Sequence, residues 1–180
     1  MAMAQHKQLI FLTGQMGSGK SYLGKKLAEN LGIDFIDTDT WIVQRENKSI
    51  SSIFQQYGES YFRQLELDIF YQITQLEHTT LIATGGGFPC FNNLAQAMYD
   101  KGLVVHLKTA LPVLIQNLKD QTKQRPLLKH ISNLADFLSE QYESRMDCYQ
   151  KAHILVNLDE RIDHISVLEA RLEPFFNTGK

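Results

Sequence analysis

Features that would mark a specialised class of protein are scarce in this sequence. Only two cysteines occur among 180 residues, and Cys90 and Cys148 lie far apart in the chain without forming a C-x-x-C pair. Their scarcity argues against a disulfide framework and a zinc site, and it suits a reducing compartment. There is no block of lysine and arginine and the net charge is −2. We therefore expect no nucleic-acid or membrane surface.

Long apolar runs are also missing. The longest run is far too short to span a bilayer, and the first residues hold no apolar segment of the kind that a secretory signal contains. We therefore expect a cytoplasmic protein. Its composition, 43% hydrophobic and 21% charged, fits a single globular domain over residues 1–180 with a full-sized core. We expect this domain to act as a monomer.

The most informative stretch is Gly14–Ser21, which matches the phosphate-binding loop (P-loop) pattern G-x-x-x-x-G-K-[ST]. The apolar run Leu9–Leu12 precedes it as a predicted strand and a helical pattern follows, which makes a chance glycine turn a poor alternative. In such a loop, backbone N–H groups surround phosphate oxygens, Lys20 reaches the β- and γ-phosphates, and the Ser21 hydroxyl binds Mg²⁺. The candidate nucleotide-binding residues are Gly14, Gly17, Ser18, Gly19, Lys20, Ser21 and Tyr22.

Short apolar segments alternate with helical patterns along the rest of the chain. The predicted strands are Gln8–Thr13, Asp34–Asp37, Thr80–Ala83, Leu103–Leu107 and Ile154–Asn157. This alternation indicates an α/β fold with a parallel sheet covered on both faces. Right-handed crossovers bring the carboxyl ends of parallel strands to one edge, where ligands bind.

Two carboxylates follow the second predicted strand, and they admit two interpretations. Asp37 could cap the helix that follows it, or it could hold Mg²⁺ through water. Asp39 could orient an acceptor hydroxyl and take its proton.

The third predicted strand ends in a glycine triplet, Gly85–Gly87, which is expected where a ligand approaches bare backbone. Upstream, Ile50–Glu77 has a helical pattern in which Arg63 and Glu66 lie one turn apart. Spacing alone favours a solvated ion pair; in a cleft, Glu66 would instead fix Arg63 for binding a carboxylate. On a predicted helix at Leu134–Tyr149, Arg145 is either a second such clamp or an exposed cation.

Basic residues surround Arg125 in a segment of weak pattern at about 118–132. This segment could be a lid that closes over the triphosphate, or a solvated surface loop.

Taken together, these residues resemble the shikimate kinase family over nearly the whole chain. The shared motifs are Gly14–Ser21, Asp37-x-Asp39, Gly58-Glu59-x-x-Phe62-Arg63-x-x-Glu66, Gly85–Gly87, Arg125-Pro126-Leu127-Leu128 and Tyr142-x-x-Arg145-x-x-x-Tyr149. The resemblance implies a P-loop kinase fold with a five-stranded parallel sheet in the order 2-3-1-4-5, a mobile lid and a substrate-binding helical region at about 38–66. It also implies transfer of the γ-phosphoryl of MgATP to the 3-hydroxyl of shikimate, a step of aromatic amino-acid biosynthesis.

The same resemblance implies residue roles. Asp39 would bond the shikimate hydroxyls, Arg63 and Arg145 would clamp its carboxylate, and Arg125 would be the lid arginine. The remaining implied contacts are backbone from Gly85, Gly86 and Gly87 and an apolar wall of Met16, Phe54 and Phe62.

The sequence departs from the family on the adenine side. Where the family has an arginine that packs on adenine, this chain has Leu118, and Leu158 and His153 replace the usual threonine and aspartate. We expect Leu118 to lie over adenine, so that Leu118→Arg would tighten nucleotide binding. Two alternative functions are a kinase for another polyol acid such as gluconate and a non-catalytic nucleotide-binding module.

Overall fold

The computed structural model describes residues 8–119, 128, 131–158 and 163–176. The strands in this part of the chain are β1 (Leu9–Thr13), β2 (Asp34–Asp37), β3 (Thr80–Ala83), β4 (Leu103–Thr109) and β5 (Ile154–Leu158). The helices there are α1 (Lys20–Leu31), α2 (Thr38–Glu46), α3 (Ile50–Thr74), α4 (Leu94–Lys101), α5 (Leu111–Leu118), α6 (Leu134–Gln150) and α7 (His164–Phe176), with a 3₁₀ turn at Phe88–Cys90.

The five strands form one parallel sheet in the order β2-β3-β1-β4-β5. This confirms the predicted order and fold class. Because β1 lies at the centre, the loop that follows it opens at the middle of the carboxyl edge, beside the ends of β3 and β4. The P-loop and the glycine triplet are therefore neighbours in space.

Strand bounds differ from the prediction only at their ends, with β4 extended by two residues to Thr109. The expectation of apolar strands in a sheet covered on both faces was wrong for the two edge strands. β2 is partly exposed along its length, and β5 alternates buried and exposed residues. Edge strands have one neighbour and less cover, so their outward side chains reach solvent.

Separate cores fill the two faces of the sheet. On one face, Phe11, Ile82 and Val104 pack against apolar side chains of α2, α3 and α4. On the other, Leu12 and Val105 pack against α1 and α7. A smaller cluster from α5 and α6 lies against the P-loop.

The long predicted helix at Ile50–Glu77 is α3, interrupted where Gly58 has φ 81° and ψ 177°. This kink directly precedes the turn that carries Glu59 and Arg63. No helix in the described part of the chain is long and apolar enough to cross a membrane.

Candidate active site

The P-loop connects β1 to α1, as the sequence predicts. Lys20 is the first residue of α1 and only 7% exposed, and its ammonium donates to the carbonyl oxygens of Gly14 and Gln15, both at 2.8 Å. It also donates to Ser18 Oγ at 3.2 Å. These contacts place the Lys20 charge inside the concave side of the loop, next to the N-terminus of α1. That position suits an anion such as a phosphate.

The Leu118 side chain packs against Gly17 of the P-loop and does not face an adenine site. The Leu118 side chain is 0% exposed, and a Cβ added at Gly17 would lie only 2.8 Å from it. Gly17 has φ +80°, so both its conformation and its contact with Leu118 require glycine. The expectation that Leu118 lies over adenine was wrong, because a fully buried side chain offers no surface to a base. Arginine there would bury a charge and destabilise the fold.

The residue before Leu118 does reach the cleft. Asn117 Nδ2 donates to the carbonyl oxygen of Gly17 at 2.8 Å, and Asn117 lines the same cleft as Lys20. Sequence reasoning missed Asn117. Leu158 is likewise buried, and His153 accepts the Val104 N–H through Nδ1 at 3.1 Å, a structural role.

Asp37 takes the capping role that the sequence left open, and its position also suits the second role, that of a Mg²⁺ ligand. One carboxylate oxygen accepts the Thr40 N–H at 2.9 Å and so caps α2, while the other accepts the Ser21 hydroxyl at 2.5 Å. Both groups line the cleft beside the P-loop. A hydroxyl and a carboxylate in contact at the mouth of a phosphate site are oxygen ligands of the kind that Mg²⁺ prefers, so the residues present fit this ion.

Asp39 lies in the first turn of α2, next to Gly85, the first residue of the glycine triplet. A Cβ added at Gly85 would lie 2.7 Å from Asp39 Oδ1, so no larger residue fits there without displacing the carboxylate. The Gly85 N–H is in turn held by the buried Thr38 hydroxyl at 3.0 Å. Asp39 lines the same cleft as Lys20.

Arg63 lies between two carboxylates. Its Nη1 donates to Glu66 at 2.6 Å, and its Nε and Nη2 donate to Glu59 at 3.1 and 2.7 Å. The Glu66 side chain is only 2% exposed, whereas that of Glu59 is 56% exposed. The guanidinium also stacks 3.6 Å from the centroid of the Phe91 ring. The Arg63 guanidinium is thus fixed, and its side chain is only 14% exposed, so the solvated ion pair that its spacing alone favoured is excluded.

The environment of Glu66 also perturbs its titration. Burial is the largest of the effects that together raise the pKa of Glu66 to about 7; the charge of Asp39 acts in the same direction, and the cations of Arg63 and Arg145 oppose the rise. Near neutral pH, Glu66 therefore exchanges between charged and neutral forms beside Arg63.

The sequence analysis did not assign Glu59 its role as the second carboxylate that holds Arg63, although its i,i+4 spacing to Arg63 was visible.

Arg145 approaches the same point from α6. A Cβ added at Gly87 would lie 3.3 Å from both terminal nitrogens of Arg63 and 3.5 Å from Arg145 Nη2. Tyr149, one turn further along α6, donates to the Gly86 carbonyl at 2.6 Å. Burial raises the pKa of the Tyr149 hydroxyl, and the nearby charge of Arg145 opposes that rise. The two guanidiniums therefore converge at the end of the glycine triplet, a geometry suited to a carboxylate.

A buried aromatic stack stands behind Tyr149. The ring of His106 lies 4.6 Å from that of Tyr149, and His106 Nδ1 contacts the Thr13 hydroxyl at 3.2 Å. Burial lowers the pKa of His106 to about 4, assisted by the charges of Lys20 and Lys108. At neutral pH this histidine is uncharged, and it adds no cation behind the site. The sequence analysis named Tyr149 only as part of a shared motif, without a role, and no pattern singled out His106.

One cleft of about 410 Å³ brings most of the predicted site residues together. Its lining includes Gly17, Gly19, Lys20, Ser21, Tyr22, Asp37, Asp39, Gly85 and Gly86. Gly14 and Ser18 lie directly below it in the loop, and Gly87 continues it toward Arg63 and Arg145. Of the predicted apolar wall, Met16 lines the cleft, and Phe54 and Phe62 pack together at 4.7 Å. Arg125 and most of the predicted lid lie outside the described residues.

Comparisons of the sequence and of the structure with known proteins both identify the same family. The sequence model described as shikimate kinase matches residues 16–171. A shikimate kinase from Clostridium botulinum is 43% identical over 148 residues, covering 82% of this chain and 85% of its own length. Two solved structures are similar over almost the whole fold. Shikimate kinase from Bacteroides thetaiotaomicron has a TM-score of 0.85 at 35% identity, covering 92% of this chain and 98% of its own.

The second structure, shikimate kinase from Acinetobacter baumannii in complex with shikimate, has a TM-score of 0.86 at 28% identity and covers 98% of this chain and 97% of its own. A gluconokinase from Sinorhizobium meliloti reaches a TM-score of only 0.55 at 16% identity, a likeness of fold alone. The chain therefore belongs to the shikimate kinase family and is an ATP-dependent kinase that acts on shikimate.

Proposed function

We propose that this cleft holds ATP and shikimate end to end and transfers the γ-phosphoryl of ATP to the 3-hydroxyl of shikimate. The observation that carries the proposal is the arrangement of charge along the cleft. A P-loop with the buried Lys20 ammonium forms one end, two converging arginines form the other, and Asp39 lies between them.

At the phosphate end, Lys20 exchanges its bonds to loop carbonyls for bonds to the β- and γ-phosphates, assisted by the backbone N–H groups of Gly14 to Ser21 and by Tyr22. The lysine stabilises the charge that develops during transfer because it is already oriented and shielded from water. Ser21 and Asp37 would hold Mg²⁺, which neutralises phosphate charge when it is bound. Because Arg125 occupies the lid position of the shared motif Arg125-Pro126-Leu127-Leu128, its guanidinium would bind the same phosphates.

At the acceptor end, Arg63 and Arg145 bind the carboxylate of shikimate, and the backbone of Gly85 to Gly87 gives it a close approach. Asp39 accepts hydrogen bonds from the ring hydroxyls and takes the proton of the attacking oxygen. Glu59 and Glu66 hold the Arg63 guanidinium in one orientation before the substrate arrives, which lowers the entropy lost on binding.

Asp39→Asn tests the division of roles within the cleft. Asparagine keeps the size of the side chain but loses its charge and basicity, so kcat should fall by two orders of magnitude or more while the Kd of ATP stays unchanged. ADP release measured with shikimate, and titration calorimetry with ATP, give both quantities. An unchanged kcat would mean that Asp39 serves only the first turn of α2.

A substrate panel separates this proposal from the gluconate alternative. We expect turnover with shikimate and little with gluconate, because the paired arginines and the glycine triplet suit a carboxylate on a ring held close to backbone. Omission of Mg²⁺ should abolish turnover.

We also propose that the enzyme acts as a monomer in the cytoplasm. Gel filtration at micromolar concentration tests the monomer, and cell fractionation tests the location. Elution at twice the mass would exclude the monomer.

A further inference from the structure

The segment that follows the glycine triplet holds Arg63 by a contact of a different kind from those of its two carboxylates. The Arg63 Cζ atom lies 3.6 Å from the centroid of the Phe91 ring, so the flat guanidinium rests on the face of that ring. Glu59 and Glu66 instead accept hydrogen bonds from N–H groups, which lie in the guanidinium plane. Phe91 therefore restrains the tilt of that plane, a motion that hydrogen bonds along its edge restrain less.

The contacts of Arg63 leave part of its hydrogen-bonding capacity for a ligand. A guanidinium has five N–H donors. The bonds to Glu59 use the Nε donor and one donor of Nη2, and the bond to Glu66 uses one donor of Nη1. Within the described part of the chain, each terminal nitrogen thus keeps one donor for a substrate. These two donors can meet the two oxygens of one carboxylate only if the guanidinium plane has the correct orientation.

The backbone on both sides of Phe91 fixes the position of its ring. Before it, the Phe88 N–H donates to the Gly85 carbonyl at 3.1 Å, and the Phe88 side chain is fully buried. After it, the Phe91 carbonyl accepts the Leu94 N–H at 2.9 Å, and Leu94 is also buried. Because interiors are closely packed, buried anchors on both sides leave the ring little freedom to move away from Arg63.

The next residue, Asn92, makes a second link to Arg63. Asn92 has φ 52°, a conformation that asparagine adopts more readily than most residues. Its Nδ2 donates to the backbone carbonyl of Arg63 at 3.2 Å. One short segment thus contacts both the side chain and the main chain of this arginine, and the same segment continues from Gly87. The guanidinium contributed by α3 is thereby tied to the glycine triplet.

We propose that Phe91 positions Arg63 for the carboxylate of shikimate. Its ring fixes the tilt of the guanidinium plane, so that the two donors not used by the flanking carboxylates face the substrate. This inference rests on the proposed role of Arg63 in binding shikimate, and it adds a residue that no sequence pattern singled out. Because Phe91 acts through Arg63, it should affect the binding of shikimate and leave the binding of ATP unchanged.

The test compares Phe91→Leu, which keeps an apolar side chain but removes the flat ring, with Phe91→Tyr, which keeps the ring. We expect Phe91→Leu to raise the KM of shikimate about fivefold, within the range of a cation–π contact, with kcat and the KM of ATP unchanged. Phe91→Tyr should behave as the wild type does. Tyr71→Leu, at an exposed position of the same helix as Arg63, is the matched control and should change none of these constants.

A second substrate distinguishes the positioning of Arg63 from general packing. The uncharged methyl ester of shikimate gains little from an oriented guanidinium, so Phe91→Leu should lower kcat/KM for shikimate and leave that for the ester almost unchanged. Equal losses for both substrates, or no rescue by Phe91→Tyr, would limit Phe91 to packing and overturn the proposal. An unchanged KM of shikimate in Phe91→Leu would also overturn it. If circular dichroism shows that Phe91→Leu does not fold, Phe91→Met provides the same comparison.

Arg63→Ala separates this inference from the proposed function. Weakened shikimate binding in Arg63→Ala, without any effect of Phe91→Leu, would retain the clamp and reject only the role of Phe91. Unchanged shikimate binding in Arg63→Ala would reject the clamp and, with it, the role of Phe91. If both hold, adding Phe91→Leu to Arg63→Ala should cause no further loss of shikimate binding, because the ring then has no guanidinium to orient.

Discussion

The two ends of the cleft are built in opposite ways. The phosphate end comes from one continuous stretch, Gly14 to Tyr22, and its lysine is held by backbone carbonyls of the same loop. The carboxylate end is assembled from α3, from the segment after β3 and from α6, and its arginine is held by two carboxylates, one of them buried. One end therefore depends on local conformation, and the other depends on how separate elements pack.

This difference sets what a substitution should do at each end. Removing a side chain from the P-loop takes away a group needed in the transition state, so it should reduce turnover and leave stability almost unchanged. Removing a partner at the carboxylate end disturbs a buried network, so it should affect shikimate affinity or stability and leave ATP binding unchanged.

Lys20→Ala should give the largest effect. Loss of an oriented, buried cation at the transferring phosphoryl is expected to lower kcat by a factor on the order of 10³, about 4 kcal/mol. Circular dichroism should show a native fold, because the three hydrogen bonds described above join the lysine to its own loop and not to the core. Lys25→Ala, at an exposed position of the same helix, is the matched control. Near-normal turnover in folded Lys20→Ala would contradict the assignment of the phosphate end.

Glu66→Gln should reveal the cost of the buried carboxylate through its pH dependence. Because the native pKa of about 7 exceeds the ordinary value of 4.5, the folded protein keeps a proton that the unfolded chain loses between these values. The stability that this proton contributes is complete below about pH 4.5 and is lost as pH rises through 7. Glutamine does not titrate, so the variant should gain stability relative to the wild type by on the order of 3 kcal/mol between pH 4.5 and 8.

Denaturant unfolding at several pH values measures this difference. Glu59→Gln is the control, since it removes the exposed carboxylate on the same arginine and should shift stability by less than about 1 kcal/mol. A difference between Glu66→Gln and wild type that stays flat with pH would show that Glu66 does not hold an extra proton in the fold.

Arg145→Ala should weaken shikimate binding by about 10- to 100-fold, the range for lost hydrogen bonds between charged groups. The Kd of ATP should stay constant, and Arg171→Ala, at an exposed position of α7, should change neither. Titration calorimetry measures both ligands. Combining Arg145→Ala with Arg63→Ala should give less than the sum of the two losses, because both side chains meet one ligand group. Equal losses of ATP affinity would place Arg145 elsewhere.

Tyr149→Phe should have the smallest effect, since it removes one hydroxyl and leaves the ring stacked on His106. Loss of the hydrogen bond to the Gly86 carbonyl, next to the point where the two arginines converge, should raise the KM of shikimate about fivefold, or about 1 kcal/mol, without changing kcat. Tyr71→Phe, on an exposed tyrosine, should leave the KM unchanged. A change confined to stability would limit Tyr149 to a packing role.

The same contrast explains what the sequence could reveal. The P-loop and four of the five strand starts were predictable from short-range patterns, and the parallel sheet from the alternation of strands and helices. The strand order was available only through the family resemblance. Arg63, Arg145 and the glycine triplet could be proposed as one site only through the family resemblance, since spacing alone favoured surface roles. The structure supports their grouping, because each glycine of the triplet lies against a side chain or backbone of the site.

The features of the site that the sequence did not predict depend on tertiary contacts. The position of Leu118 in the chain matched an adenine contact, but only the packing of α5 against Gly17 shows that its side chain is buried. The hydrogen bond from Tyr149 to the Gly86 carbonyl joins residues 63 positions apart, and no local pattern encodes it. Glu59 is the exception, because its i,i+4 spacing to Arg63 on a helix is a local pattern from which this ion pair could have been predicted.

The central claim is that one end of the cleft binds phosphates and the other binds the shikimate carboxylate. The most direct test compares kcat/KM for shikimate and for its uncharged methyl ester, in wild type and in Arg145→Ala. Wild type should prefer shikimate by about 100-fold, and the variant should reduce that preference to about tenfold or less, since the ester has already lost what the arginine recognises. If Arg145→Ala lowered kcat/KM equally for both substrates, the arginine would not act on the carboxylate, and the account of this end of the cleft would be wrong.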